Sequence, residues 1–257
     1  MEKIKVAFQG EMGAYSHLAC EKLFPSCEIK ACPTFEETFK IAHDDENYKI
    51  VIPIENSLAG RVADIHYLLP KYKLQIHSEH FQKVEHNLLV RKNAELKDVK
   101  FVRSHAQAID QCQKFILKNK FKTIISADTA GSAKELSKTD DKSIAAIASK
   151  LSAKIYDLKI LTENIEDENQ NTTRFLIMSK NVSQPDYNKN KKYITTCIFR
   201  LKSIPAALYK CLGGFATNQV NLTKLESFSV KNTFAQTNFY LDFEGHLEEK
   251  SVQNAME

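Results

Sequence analysis

From residue 4 onward, short apolar runs alternate with amphipathic stretches, and this alternation restricts the fold more than any other feature of the chain. Apolar runs at 4–8, 50–54, 88–91, 99–102, 122–126 and 144–148 predict strands, and amphipathic stretches at 16–24, 35–42, 106–117 and 129–136 predict helices between them. Strands that alternate with helices specify an open α/β sheet, because each helix covers a sheet face that has to be buried. At 257 residues the chain has room for a second domain.

The rhythm breaks at 181–192, a polar stretch that contains Pro185 and no apolar period, as expected of a linker. Beyond it a strand at 193–201, a helix opened by Pro205 and running to about 217, and strands at 222–230 and 234–243 predict a small α+β module.

Charge narrows the classes of partner. There are 36 Lys and Arg against 32 Asp and Glu, a net of +4 spread along the chain, so no basic stripe for nucleic acid is present. Six cysteines (Cys20, Cys27, Cys32, Cys112, Cys197, Cys211) form no C-x-x-C pair and have no histidine at metal-ligand spacing, which predicts free thiols and no metal. The first residues run directly into a strand without a long apolar stretch, so a cytoplasmic protein with no membrane partner is expected.

Four polar clusters share one context, the end of a strand turning into a helix: Gln9-Gly10-Glu11-Met12-Gly13-Ala14-Tyr15-Ser16, Glu55-Asn56-Ser57, Ser104-His105 and Asp128-Thr129. Ligands of open α/β sheets bind outside the carboxyl ends of strands, where helix N-termini offer unpaired N–H groups to anions. Gly10 and Gly13 would let backbone approach a ligand closely. Ser16, Ser57, Ser104 and Thr129 can each also be read as a helix N-cap contributing about 1 kcal/mol, and His105 as either an acid–base group or a cap. The first loop lacks the Gly-Lys-Ser/Thr ending of a phosphate loop, and no zinc-hydrolase motif or nucleophile elbow occurs. A fifth feature, Asn171-Thr172-Thr173-Arg174-Phe175, is a polar turn running into an apolar strand; Arg174 could pair with a carboxylate and Thr173 donate a hydrogen bond.

Thr173-Arg174-Phe175 resembles the T-R-F signature of prephenate dehydratases. The opening loop (Phe8 to Glu11, then Gly13 to His17), the P-I-E-N-S segment at Pro53 to Ser57, the Ser104-His105 pair and the lead-in at Glu163 to Asp167 are similar to the family's other motifs, in the same order. The C-terminal module resembles an ACT domain.

The resemblance implies an α/β catalytic domain at 1–180, bilobal in the manner of type II periplasmic binding proteins, with one lobe from 1–78 and 160–180 and the other from 79–159. A ferredoxin-like α+β ACT domain at 193–257 would follow, with a short second helix and no fourth strand. It implies decarboxylation and dehydration of prephenate to phenylpyruvate without a cofactor. Thr173 would donate to the departing hydroxyl; Arg174 would bind a carboxylate or hold the loop; Ser16, Asn56, Ser57, Ser104, His105, Thr129 and Phe175 would line the substrate site, and Glu55 would be a structural partner. In the ACT module, Ala206 stands where the family commonly has glycine, next to Ala207 and Leu208; Glu226-Ser227 is kept while the Arg-Pro that normally follows is replaced by Phe228-Ser229. These positions would take L-phenylalanine as effector in a homodimer or homotetramer. Arogenate dehydratase and a non-catalytic small-molecule binder of the same fold are the alternatives.

Overall fold

A computed structural model describes residues 4–62, 65–181, 185–229 and 236–257. In chain order the first elements are β1 (Lys5–Gln9), α1 (Tyr15–Leu23), β2 (Glu28–Cys32), α2 (Phe35–Asp44), β3 (Tyr48–Asn56), β4 (Gly60–Arg61), α3 (Ile65–Tyr72) and β5 (Gln75–Lys83). Next come β6 (Asn87–Val90), β7 (Phe101–Ser104), α4 (Ala106–Asp110), α5 (Gln113–Lys118), β8 (Lys122–Ile125), α6 (Thr129–Ser137), β9 (Ile144–Ala148), α7 (Lys150–Ile155), β10 (Lys159–Thr162) and β11 (Thr172–Ser179). The last are β12 (Ile194–Arg200), α8 (Ala207–Thr217), β13 (Leu222–Ser229), β14 (Thr237–Glu244) and α9 (Lys250–Met256). The chain forms two compact units, Met1–Leu68 with Tyr72–Val182, and Leu69–Lys71 with Ser183–Glu257.

The first unit holds two mixed sheets. One has the order β2, β1, β3, β11, β5 with β4 on the edge of β3; the other has the order β10, β6, β9, β7, β8. The chain passes between them twice, after β5 and after β10, as a bilobal α/β layout requires. These crossings fall a few residues beyond the expected 78/79 and 159/160, because β5 stays in register with β11 as far as Lys83 and β10 pairs with β6. Side-chain alternation explains the second sheet: Leu88, Val90, Ala145 and Ile147 pack on one face with Val102 and Ile109, while Leu89, Ala146 and Ala148 pack on the other with Ala133 and Leu136. Both faces are buried along β6 and β9, so these two strands are almost wholly apolar. In the first sheet Val6, Phe8, Val51, Phe175 and Ile177 bury one face against Ala19 and Cys20 of α1.

The helix expected over 106–117 is interrupted. Gln111 and Cys112 separate α4 from α5, the Gln111 carbonyl accepts from Asp167 N at 2.6 Å, and the Asp167 carboxylate accepts from Lys114 N at 3.1 and 3.2 Å. A carboxylate at the start of α5 satisfies a donor that a continuous helix would have paired internally.

The second unit is a three-stranded antiparallel sheet, β12, β14, β13, closed on one face by Phe215 of α8 and Val252 of α9 packed on Leu241 and Phe243. Among the described residues the sheet has no fourth strand, and α9 is seven residues long. Of the sequence expectations, residues 182–184 of the linker, Val230 of one strand, and Phe234 and Ala235 of the next lie outside the described residues.

Candidate active site

Asn56 closes β3, and its side chain organises the turn that follows. Its Oδ1 accepts from the main-chain N–H groups of Leu58 and Ala59 at 3.0 and 2.9 Å, an Asx turn that steers the chain toward β4. Because both donors are backbone, the amide's orientation is fixed and Nδ2 is the donor on its other side. Nδ2 reaches Asn171 Oδ1 at 2.7 Å, Thr173 Oγ1 at 2.9 Å and the Thr172 carbonyl at 3.3 Å. The Thr173 hydroxyl is therefore an acceptor toward Asn56, and its own hydrogen finds no acceptor among the described residues. Ser57 completes the junction: its N–H donates to the Thr172 carbonyl at 2.9 Å, and its Oγ accepts from Thr172 N at 3.0 Å.

The bonds continue into the other lobe. Asn171 Nδ2 donates to Gln111 Oε1 at 2.7 Å, and His86 Nε2 lies 2.8 Å from that same oxygen. His86 Nδ1 is 3.0 Å from the Tyr15 hydroxyl, which is 2.6 Å from the Glu85 carbonyl. Burial lowers the His86 pKa, partly offset by Gln111 and Glu166, and burial raises that of Tyr15, reinforced by Cys112, Glu166 and Glu85. Both groups are thus neutral near pH 7. Gln111, Asn171, His86 and Tyr15 were not singled out as site residues. The interrupted helix is what brings Gln111 to this place, and its amphipathic pattern carried no sign of the break.

Several expected site residues have other employment. Phe175 is a core residue, 1% exposed among Val6, Phe8 and Val51, and so is closed to a ligand; side chains alternate along β11, and Thr173 and Phe175 share a strand face of which only the Thr173 end is open. Ser104 is fully buried and donates to the Ile147 carbonyl at 2.7 Å, tying β7 to β9. His105 caps α4, accepting from Gln107 N through Nδ1 at 3.3 Å. The cap of α6 is Asp128, bound to Gly131 N at 2.6 Å, and Thr129 is the first helical residue. Ser16 lies inside α1, whose cap position is Ala14. Arg174 is engaged with the protein's own carboxylate, its Nε 2.7 Å from Glu79 Oε2 across β11 and β5, and it faces Glu55 in the register of β11 with β3.

The glycine loop after β1 is likewise occupied by protein. The Gly13 carbonyl accepts from Ser149 Oγ at 2.6 Å and Ser152 Oγ at 2.9 Å, the Met12 carbonyl accepts from Tyr156 OH at 2.8 Å, and Lys134 pairs with Glu11 at 2.8 Å. Gly13 has φ +92, and a Cβ there would stand 2.6 Å from Ser152 Oγ. Glycine serves here for the approach of the second lobe rather than of a ligand. Within the second unit, Ala206 caps α8 at φ +61 ahead of Ala207 and Leu208, Glu226 pairs with Lys224 at 2.9 Å, and Ser227 faces Phe239.

These motifs can be set against known proteins. The family model described as prephenate dehydratase matches residues 6–183. A bifunctional N-acyl-homoserine lactone acylase/prephenate dehydratase of Komagataeibacter europaeus is 41% identical, with 98% of this chain and 89% of that protein aligned. An Arabidopsis thaliana arogenate dehydratase/prephenate dehydratase is 35% identical over 99% of this chain and 68% of its own length. Among solved structures, GqqA, described as a novel type of quorum quenching acylase, superposes with a TM-score of 0.91 at 40% identity, covering 98% of this chain and 91% of that one. The prephenate dehydratase of Arthrobacter aurescens in complex with L-Phe gives 0.90 at 26% identity, covering 98% and 84%. A match that takes in both lobes and every polar cluster leaves one conclusion: this chain belongs to the prephenate dehydratase family.

Proposed function

We propose that this protein is a carbon–oxygen lyase that converts prephenate to phenylpyruvate, carbon dioxide and water. The observation that carries the reading is the bond from Asn56 Nδ2 to Thr173 Oγ1, which leaves the threonine hydrogen available to a departing hydroxyl. As the carboxylate carbon leaves as carbon dioxide, its bonding pair enters the ring, and the hydroxyl departs with its own pair and takes a proton that comes ultimately from solvent to become water. Threonine is a weak acid, so its contribution is a placed hydrogen bond to charge developing on oxygen. The Gln111 amide, whose N–H groups have no partner among the described residues, supplies donors for a substrate carboxylate. The reaction needs no cofactor. No helix among the described residues is long and apolar enough to cross a membrane, and we place the enzyme in the cytoplasm.

The test is turnover of prephenate by the purified chain, followed by phenylpyruvate absorbance. Thr173→Ala is expected to lower kcat about 100- to 1,000-fold and Thr173→Ser to keep most of it. Near wild-type kcat in Thr173→Ala overturns the assignment. Arogenate, assayed beside prephenate, decides between the two substrates that the plant relatives' names carry.

A second activity has one observation behind it, the 41% identity to a protein named as both acylase and dehydratase. Release of fatty acid from an N-acyl-homoserine lactone by the purified chain is its measurement. The second unit is read as the L-phenylalanine sensor of a homodimer or homotetramer, on the strength of a relative solved with L-Phe; calorimetry with millimolar L-phenylalanine and light scattering test the two halves of that reading.

A further inference from the structure

Gln111 Oε1 is claimed by two donors, and the direction of each bond can be traced to the main chain. Leu58 N and Ala59 N orient Asn56, Asn56 Nδ2 orients Asn171, and Asn171 Nδ2 therefore presents hydrogen to Gln111 Oε1. A carbonyl oxygen facing His86 Nε2 at 2.8 Å requires a hydrogen on that nitrogen. In the neutral ring, Nδ1 is then a bare acceptor 3.0 Å from the Tyr15 hydroxyl, whose single hydrogen it shares with the Glu85 carbonyl at 2.6 Å. The ring is held from further sides as well. Tyr15 packs edge-on to it with centroids 5.8 Å apart, and the His86 main-chain N–H donates to Glu166 Oε2 at 2.9 Å.

We propose that His86, backed by Tyr15, is a positioning residue that locks the Gln111 amide with its oxygen inward and its N–H groups turned to the substrate. A flipped amide would set its NH2 against the N–H of His86 and the NH2 of Asn171, so the two clamps exclude that state together. Removing His86 leaves one. The inference deepens the dehydratase reading and rests on it for the identity of the substrate, whereas the tautomer of His86 is a property of the protein alone.

The experiment pairs kinetics with nitrogen-15 spectra of the histidine rings in the full chain. The spectrum is expected to show His86 protonated at Nε2 and bare at Nδ1, with the Nδ1 resonance shifting in Tyr15→Phe. With prephenate as substrate, His86→Leu is expected to raise KM about tenfold with kcat changed less than about threefold, the loss of one net hydrogen bond. His86→Gln, which restores an N–H donor, is expected to recover most of that KM. An Nδ1–H tautomer, an unchanged KM in His86→Leu, or a Gln variant as impaired as Leu overturns the proposal. If His86→Leu does not fold, the spectrum and the KM of Tyr15→Phe decide it. A wild-type chain that does not turn over prephenate refutes the dehydratase reading instead, with the tautomer still open to measurement.

Discussion

Asn56 and Thr173 stand directly opposite each other in the antiparallel register of β3 and β11, and a 2.9 Å hydrogen bond joins the amide of one to the hydroxyl of the other. The pair sits at the end of the ladder between two inner strands, so strand register sets its geometry. Strand pairing holds a side chain with little freedom, as a site for a developing oxyanion requires.

Asn56→Asp tests the direction of that bond. Aspartate keeps an oxygen for Leu58 N and Ala59 N but loses the donors to Thr173 and Asn171, and it turns two acceptors toward each other. The expected outcome is kcat lowered about 100-fold or more, with the unfolding midpoint in urea close to wild type. Steady-state kinetics beside equilibrium unfolding check both halves.

Arg174 is expected to matter for stability rather than for substrate. Its side chain is 13% exposed and its Nε is held by Glu79 at 2.7 Å. Lysine cannot reproduce a guanidinium contact, and a partly buried pair left incomplete costs about 1 to 3 kcal/mol. Arg174→Lys and Glu79→Gln should both lower the unfolding midpoint, while KM for prephenate stays within about twofold in Arg174→Lys. A sharp rise of KM in that variant would instead give Arg174 a carboxylate to bind.

Stability should fall as the pH drops below the ordinary histidine value. Burial lowers the pKa of His17, His77 and His86 below 6.5; for His17, Glu21 at 3.8 Å offsets part of the effect. In the window beneath 6.5 the unfolded chain binds protons that the folded chain refuses, so unfolding free energy rises with pH there and is flat above it. His17 Nδ1 accepts from Gly13 N at 3.0 Å, a bond only the unprotonated nitrogen can make. Urea unfolding at a pH of about 5 and about 7.5 measures the slope, and His17→Asn, which keeps an acceptor, should reduce it.

Ala206→Gly should stabilise the second unit. Alanine at φ +61 costs about 1 to 2 kcal/mol against glycine, while the added freedom of glycine in the unfolded chain returns about 0.4 to 1 kcal/mol. The first effect is the larger, for a net gain of about 0.5 to 1 kcal/mol, read as a higher midpoint of the transition that reports on the second unit.

The α/β rhythm made β6, β7, β8 and β9 of the second sheet legible, since buried runs such as 144–148 admit few other structures. β2, β5 and β10 were not legible. Their residues are half exposed and polar, as in Gln75–Lys83, and they are strands because a neighbour supplies the ladder. At the site, Asn56 and Thr173 were visible as residues but their bond was not, because it depends on a register across 117 positions of chain. Phe175 and Ser104 are buried for reasons a polar motif does not carry: Phe175 lies further along the face of Thr173, inside the core, and Ser104 turns into the sheet to the Ile147 carbonyl. The glycine loop was expected to admit a ligand; at Gly13 the groups that approach are Ser149 and Ser152.

That clamp ties three distant positions into one unit of inheritance. No residue other than glycine fits at position 13 while Ser152 stands where it does, and Ser149 and Ser152 keep a shared acceptor only while the Gly13 carbonyl faces them. Substitutions there are non-additive by construction. Drift in the first fifteen residues is constrained by a helix that begins more than 130 residues later, and a hybrid assembled from the two lobes of different relatives would have to carry matching versions of this contact.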